Sequence, residues 1–160
     1  MHRSTASHVH GEAGAALVRL APRRLRMEEI VIRELPLYSY DYDKAYPPAG
    51  QALKDAIARV DAVLFVTPEY NRSIPGGLKN AIDWASRPWG TNSFSRKPSG
   101  IIGTSPGNIG TAVAQQHLRS ILSFCNSPLM NAIEALRARS RSVSWPSLGG
   151  PNRQASAASA

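Results

Sequence analysis

The sequence predicts an α/β domain built on a parallel sheet. Two runs carry most of that reading: residues 62–66 (Ala-Val-Leu-Phe-Val) and 99–103 (Ser-Gly-Ile-Ile-Gly) are apolar or small throughout, with no polar alternation. Strands of that kind are buried on both faces, as in parallel sheets covered by helices. The third observation is that a helical repeat follows each run after a loop, the order expected of βαβ units. With 160 residues and 42% apolar content, the chain holds enough for one core.

In chain order, the β-branched run Glu28, Glu29, Ile30, Val31 and Ile32 predicts a strand over 28–32, ended by Leu35-Pro36-Leu37-Tyr38. A polar loop rich in Tyr, Asp and Pro runs to Pro48. Ala52, Leu53, Ala56, Ile57 and Val60 then recur at helical spacing, with Lys54, Asp55 and Arg59 on the other face. After the strand at 62–66 comes a loop to Pro75, and a helix begins near Gly76 or Gly77. Leu78, Ala81, Ile82 and Ala85 form its stripe, and Arg87-Pro88-Trp89-Gly90 ends it. The strand at 99–103 leads through a small-residue loop, 104–110, into a long amphipathic helix outlined by Val113, Gln116, His117, Leu118, Ile121, Leu122 and Phe124. Pro128-Leu129-Met130 opens a last strand.

Net charge is +8, which raises a nucleic-acid reading, but its distribution argues against one. Residues 1–26 carry five Arg and one Glu, and residues 131–160 four Arg and one Glu. The intervening stretch holds ten Lys or Arg against nine Asp or Glu, so the body is near neutral and the basicity lies at the ends. No apolar stretch approaches the length that spans a bilayer, and residues 1–12 lack the apolar centre of a secretory signal, so a cytoplasmic protein is expected. The single cysteine, Cys125, excludes an internal disulfide and sits in an apolar run, where a small buried hydrophobe is the expected role. Cys and His are too sparse at ligand spacing for a zinc site, and His2, His8 and His10 read as a solvated terminal tract.

Ligands of such sheets bind at the carboxyl ends of the strands. The loop at 67–75 leaves one strand end and the loop at 104–110 another. In the first, Pro68 and Pro75 stiffen the backbone. Tyr70 offers a flat face with a polar tip, and Asn71 offers paired donors and acceptors. In the second, Gly103 and Gly107 permit close approach of backbone to a planar ligand. A tight strand-to-helix turn chosen for geometry alone explains either loop taken singly.

The run Thr67-Pro68-Glu69-Tyr70-Asn71, followed by Ser73-Ile74-Pro75-Gly76, Leu78-Lys79-Asn80-Ala81-Ile82-Asp83-Trp84, strongly resembles the flavin-binding signature of NADPH-dependent FMN reductases, a group that includes bacterial chromate and quinone reductases. Lys97-Pro98, Gly100 to Gly107, Gly110-Thr111 and Ala114 to Arg119 resemble the next strand, loop and helix of that family. The resemblance implies a flavodoxin-like, doubly wound sheet. Pro68, Glu69, Tyr70 and Asn71 would line the isoalloxazine and ribityl parts of FMN, with Ile74 packed nearby. Thr104, Ser105, Pro106 and Gly107 would meet the pyrimidine edge, with the backbone N–H groups in the Ser105 to Gly107 stretch bonding its carbonyls. NADPH or NADH would supply hydride, and quinones, azo compounds, metal oxyanions or free flavin would take the electrons. The flavin carries the chemistry, so no side chain is expected to act as nucleophile or base, and no metal is expected. His117 reads as a packing or interface residue. Arg119 would face a partner subunit, since members of the family commonly form dimers or tetramers.

The resemblance covers residues 17–134. Family members begin with an apolar strand and a Gly-Ser-x-Arg-x-x-Ser-x-Asn loop that holds the FMN phosphate, and residues 1–14 carry neither pattern. Residues 1–16 are therefore expected to be an aberrant basic segment, and 135–160 a disordered basic tail. The sheet is expected to lack its first strand and its closing helix. A frameshifted or truncated gene is the expected origin, testable by resequencing the locus. Two other readings stand beside the reductase: a non-catalytic remnant that binds FMN weakly or not at all, and a basic nucleic-acid-binding module, which would bind with steep salt dependence. A nicotinamide-only Rossmann enzyme would need Gly-x-Gly-x-x-Gly after a first strand, which the chain lacks.

Overall fold

The computed structural model describes residues 3–8, 11–103, 105 and 109–131. The elements run β1 (Arg3–His8), α1 (Gly11–Leu20), β2 (Arg26–Ile30), a 3₁₀ turn (Tyr40–Lys44), α2 (Pro48–Ala58), β3 (Ala62–Thr67), α3 (Gly76–Ser86), β4 (Ser99–Gly103) and α4 (Ala112–Phe124). Four strands pair in the order β2-β1-β3-β4, every pair parallel. Beyond β4, the Ser99 N–H donates to the Pro128 carbonyl at 2.8 Å and the Met130 N–H to the Ser99 carbonyl at 2.9 Å. This single parallel bridge, Ser99 to Leu129, marks where the expected last strand joins.

The expected loss of the first strand is corrected. Arg3–His8 is a strand, and it sits between β2 and β3, with Ser7 opposite Ile30 on one side and Phe65 on the other. Strand pairing is made by backbone N–H and C=O groups. Arg-Ser-Thr-Ala-Ser-His can therefore join a ladder while showing none of the apolar pattern by which a central strand is usually read. α1 likewise starts at Gly11, inside the segment expected to be aberrant. β2 lies two residues earlier than expected because its ladder with β1 ends at Ile30; Val31 beyond it is exposed. The closing helix and the basic tail fall outside the described residues.

Helices cover both faces of the sheet. Val63, Phe65 and Ile101 point to one face and pack with Leu53 and Ile57 of α2, Leu78, Ile82 and Trp84 of α3, and Leu118 and Leu122 of α4. Val66 and Ile102 point to the other face, against Leu17 of α1, Met27 and Leu64. Cys125 is buried in the first core, and burial pushes its thiol up from the usual value, which makes it an inert hydrophobe. Phe124, expected on the apolar stripe of α4, is instead exposed, because that helix buries Ala114, Gln115, Leu118 and Leu122.

Trp84 organises the flank between α2 and α3. It has no exposed surface, and the rings of Tyr38, Tyr42 and Tyr46 lie 5.1–5.3 Å from it. Its indole N–H donates to the Pro36 carbonyl at 2.7 Å, and Tyr46 Oη donates to the Trp84 carbonyl. Gly50 lets α2 approach this closely, since a Cβ there would lie 2.7 Å from the indole ring. Around it, Arg87 Nη2 meets Asp43 Oδ2 at 2.8 Å, and Tyr38 Oη donates to Asp43 Oδ1 at 2.7 Å. Lys54 Nζ donates to the carbonyls of Arg87 and Thr91 at 2.5 and 2.6 Å, closing the carboxyl end of α3. Burial lowers the Lys54 ammonium from its usual value and pushes the Tyr46 phenol up to about 12.

Candidate functional site

The register of β3 and β4 brings two strand ends level. Val66 pairs with Ile102 and Thr67 with Gly103, the last residues of the two strands. No larger residue fits at Gly103: a Cβ there would lie 2.0 Å from Thr111 Oγ1 and 2.9 Å from the Thr67 carbonyl. Thr67 and Thr111 are fully buried at this junction. Thr67 Oγ1 donates to the Pro68 carbonyl at 2.8 Å, and Thr111 Oγ1 accepts from Gln115 Nε2 at 3.0 Å. The start of α4 is thus pressed against the end of β3.

From this base the loop at 67–75 rises into a tight turn. The Tyr70 and Ser73 backbones exchange N–H···O bonds, each of 2.9 Å. Asn71 and Arg72, the two residues between, both take positive φ (49° and 63°), the mirror-image turn that two-residue connections favour. The turn leaves Tyr70 54% exposed and Asn71 exposed at its tip. Pro68, Ile74 and Pro75 are buried beneath, and Ile74 belongs to the core on the α3 side of the sheet. A phenol face and a carboxamide held up on a fixed backbone suit a flat ring system with polar edges, and in that respect the residues fit a flavin.

Glu69 sits differently from its neighbours. Its side chain is 8% exposed and turned toward α4, where Oε2 accepts from the Val113 N–H at 3.1 Å and the Ala114 N–H at 3.0 Å. Arg72 Nη1 lies 3.4 Å from the other oxygen. On the next turn of α4, His117 Nδ1 lies 3.1 Å from Ser73 Oγ, with the ring exposed. Arg119, expected to face a partner, has Nη1 donating to the Met130 carbonyl at 3.0 Å.

Of the expected site residues, Pro68, Glu69, Tyr70, Asn71 and Ile74 are therefore brought together at one strand end. Ser105 is described and half-buried, while Thr104, Pro106 and Gly107 lie outside the described residues. Sequence reading did not find the Glu69 contacts to α4, the Ser73–His117 contact or the Gly103–Thr111 approach. The first two join residues 44 or 45 apart, the third closes a short loop, and the motif spacing carries no signal for any of them. A separate groove of about 1010 Å³ runs beside α3 and α4, lined by Tyr38, Lys79, Arg87, Trp89, Phe124 and Cys125 among others. Of the signature, Lys79, Ile82 and Asp83 line it, but Pro68, Glu69, Tyr70, Asn71 and Ile74 do not, so the strand-end loop, where fold and chemistry coincide, is the candidate site.

Comparison with known proteins bears on both fold and site. The family model described as NADPH-dependent FMN reductase matches residues 3–140. A 2-hydroxy-1,4-benzoquinone reductase of Burkholderia sp is 54% identical over 119 residues, covering 74% of this chain and 65% of that protein. A quinone reductase of Pseudomonas putida is 48% identical over 121 residues, covering 75% of this chain and 65% of that protein. The chain thus spans somewhat less than two thirds of the length of these relatives. Among solved structures, FerB from Paracoccus denitrificans, a flavoenzyme NAD(P)H:(acceptor) oxidoreductase, superposes with a TM-score of 0.78 at 41% identity, covering 84% of this chain and 78% of that one. With the parallel sheet, the strand order and the strand-end signature in place, the chain belongs to the NADPH-dependent FMN reductase family.

Proposed function

We propose that this chain binds FMN at the carboxyl ends of β3 and β4 and uses NADPH or NADH to reduce quinone-type acceptors. The observation that carries the reading is the turn at 70–73. It holds Tyr70 and Asn71 uncovered, with a backbone already fixed, on the loop that leaves β3 level with the end of β4. A preformed turn loses little conformational freedom when a ligand docks on it. Family membership and the names of the relatives, two of which are quinone reductases, support the same chemistry.

When bound, FMN would accept hydride from reduced nicotinamide and pass electrons on to the acceptor. The chain's own residues would hold and orient it. Tyr70 would lie against the ring system, Asn71 would bond a polar edge, and Pro68 and Ile74 would fix the loop from below. The backbone of Thr104, Ser105, Pro106 and Gly107 would meet the pyrimidine edge. Between β1 and α1 the sequence reads His8-Val9-His10-Gly11, without the Ser and Arg that hold FMN phosphate in the family. The ring-binding loops would therefore carry most of the affinity.

The test is a titration of the purified chain with FMN, followed by NADPH oxidation with a benzoquinone. Saturable quenching of flavin fluorescence and quinone-dependent turnover are expected. Absence of quenching at saturating FMN overturns the reading. Self-association is a further part of the proposal, supported by exposed Leu37, Trp89 and Phe124, and sedimentation velocity reads it directly. Among the described residues no helix is long and apolar enough to cross a membrane. Residence in the cytoplasm is proposed with the rest and is checked by cell fractionation.

A further inference from the structure

We infer that Glu69 is a positioning residue, which sets the pose of the flavin-gripping turn by clamping it to α4 instead of touching the cofactor. The inference rests on the FMN reading above and reassigns one residue within it.

Four observations converge. The Glu69 carboxylate is almost wholly buried, yet it faces the first turn of α4 and not the open side of the loop on which Tyr70 and Asn71 stand. One of its oxygens accepts from both the Val113 and Ala114 N–H groups. These are among the first N–H groups of the helix, which have no partners of their own within it. Thr111, in the N-cap position, makes no side-chain cap there; its hydroxyl accepts from Gln115 instead. Glu69 thus supplies from another loop the cap that α4 lacks locally, with a negative charge at the positive end of the helix. Finally, Ser73 and His117 make a second link between the same turn and the same helix.

The consequence is mechanical. The turn at 70–73 hangs between two ties to α4, and the loop at 104–110 runs directly into that helix. The turn is therefore braced, through a buried, charge-assisted contact, against the helix that follows the second proposed FMN loop in sequence. Sliding one past the other would strand a buried carboxylate and two helix N–H groups.

Three variants separate reach from charge. Glu69→Gln keeps an oxygen able to accept both N–H bonds but loses the charge. Glu69→Asp keeps the charge but falls a methylene short. Glu69→Ala removes both. FMN affinity is expected to fall about tenfold in the Ala and Asp variants and to stay within about threefold of the parent in the Gln variant. In the chain without FMN, amide exchange across 111–118 is expected to quicken in the Ala and Asp variants and to hold in the Gln variant. Parent-like exchange and affinity in both the Asp and Ala variants, or a Gln variant as impaired as the Asp one, overturns the inference. Should the Ala variant not fold, the Gln and Asp pair decides. If the parent chain itself fails to bind FMN, the proposed function falls, while the exchange comparison still decides whether Glu69 holds the turn.

Discussion

The Trp84 flank and the strand-end turn are built from similar residues, tyrosines, an arginine, an acid and an asparagine, and use them in opposite ways. On the flank the central polar groups are turned onto one another. Tyr38, Asp43 and Arg87 bond one another, Asn80 holds the backbone of Pro36 and Tyr38, and three tyrosine rings close on one indole. At the turn, Glu69, Arg72 and Ser73 make internal contacts, while Tyr70 and Asn71 stand uncovered on a backbone held by its own paired bonds. A polar cluster whose members satisfy one another is a scaffold. A polar cluster fixed from behind, with its faces left open, is equipped to bind.

The contrast can be broken most forcefully at Trp84. Trp84→Ala would remove the indole from a fully buried site and leave the Pro36 carbonyl with Asn80 as its remaining donor. A loss of about 4 kcal/mol in stability is expected, read by urea denaturation. Gly103→Ala attacks the base of the turn, because the new methyl would collide with Thr111 and the Thr67 carbonyl. It should cost about 2–3 kcal/mol and weaken FMN binding as well.

The Tyr46 phenol tests the flank by pH. Its folded value is raised to about 12 from 10.0, so its stabilising contribution is complete below pH 10 and is lost as pH rises toward 12, where the unfolded chain ionises first. Urea midpoints measured at pH 9 and pH 11 should fall by the equivalent of about 1–2 kcal/mol, and Tyr46→Phe should flatten that slope. The smallest effect on stability is expected at the turn. Tyr70→Ala should change stability by less than about 0.5 kcal/mol, since the ring is half exposed, yet lower FMN affinity about tenfold. A Tyr70 variant that loses stability and keeps FMN affinity would erase the distinction between the two regions.

How much of this could be read in advance follows from what kind of force shaped each part. The strand at Ser99–Gly103 has the bounds its composition predicts, and α3 begins where the two glycines follow Pro75, because burial on both faces and helix starts leave local marks. β1 leaves none, since its place depends on backbone pairing with two strands, one of them more than fifty residues away. Of the site, the aromatic and amide residues at the tip were legible as chemistry. The Glu69 contacts were not: they join groups 44 and 45 residues apart, and a glutamate beside a tyrosine and an asparagine looks, in sequence, like one more ligand contact.

The location of β1 has a bearing on how the protein is made. Its partners across β3 begin at Ala62, so β1 must wait until some sixty residues of later chain have emerged before that side of its ladder can form. Pairings between such distant stretches are slow to form. During synthesis β1 is therefore made well before one of the two strands that flank it, and its place inside the sheet is fixed only after that strand has appeared.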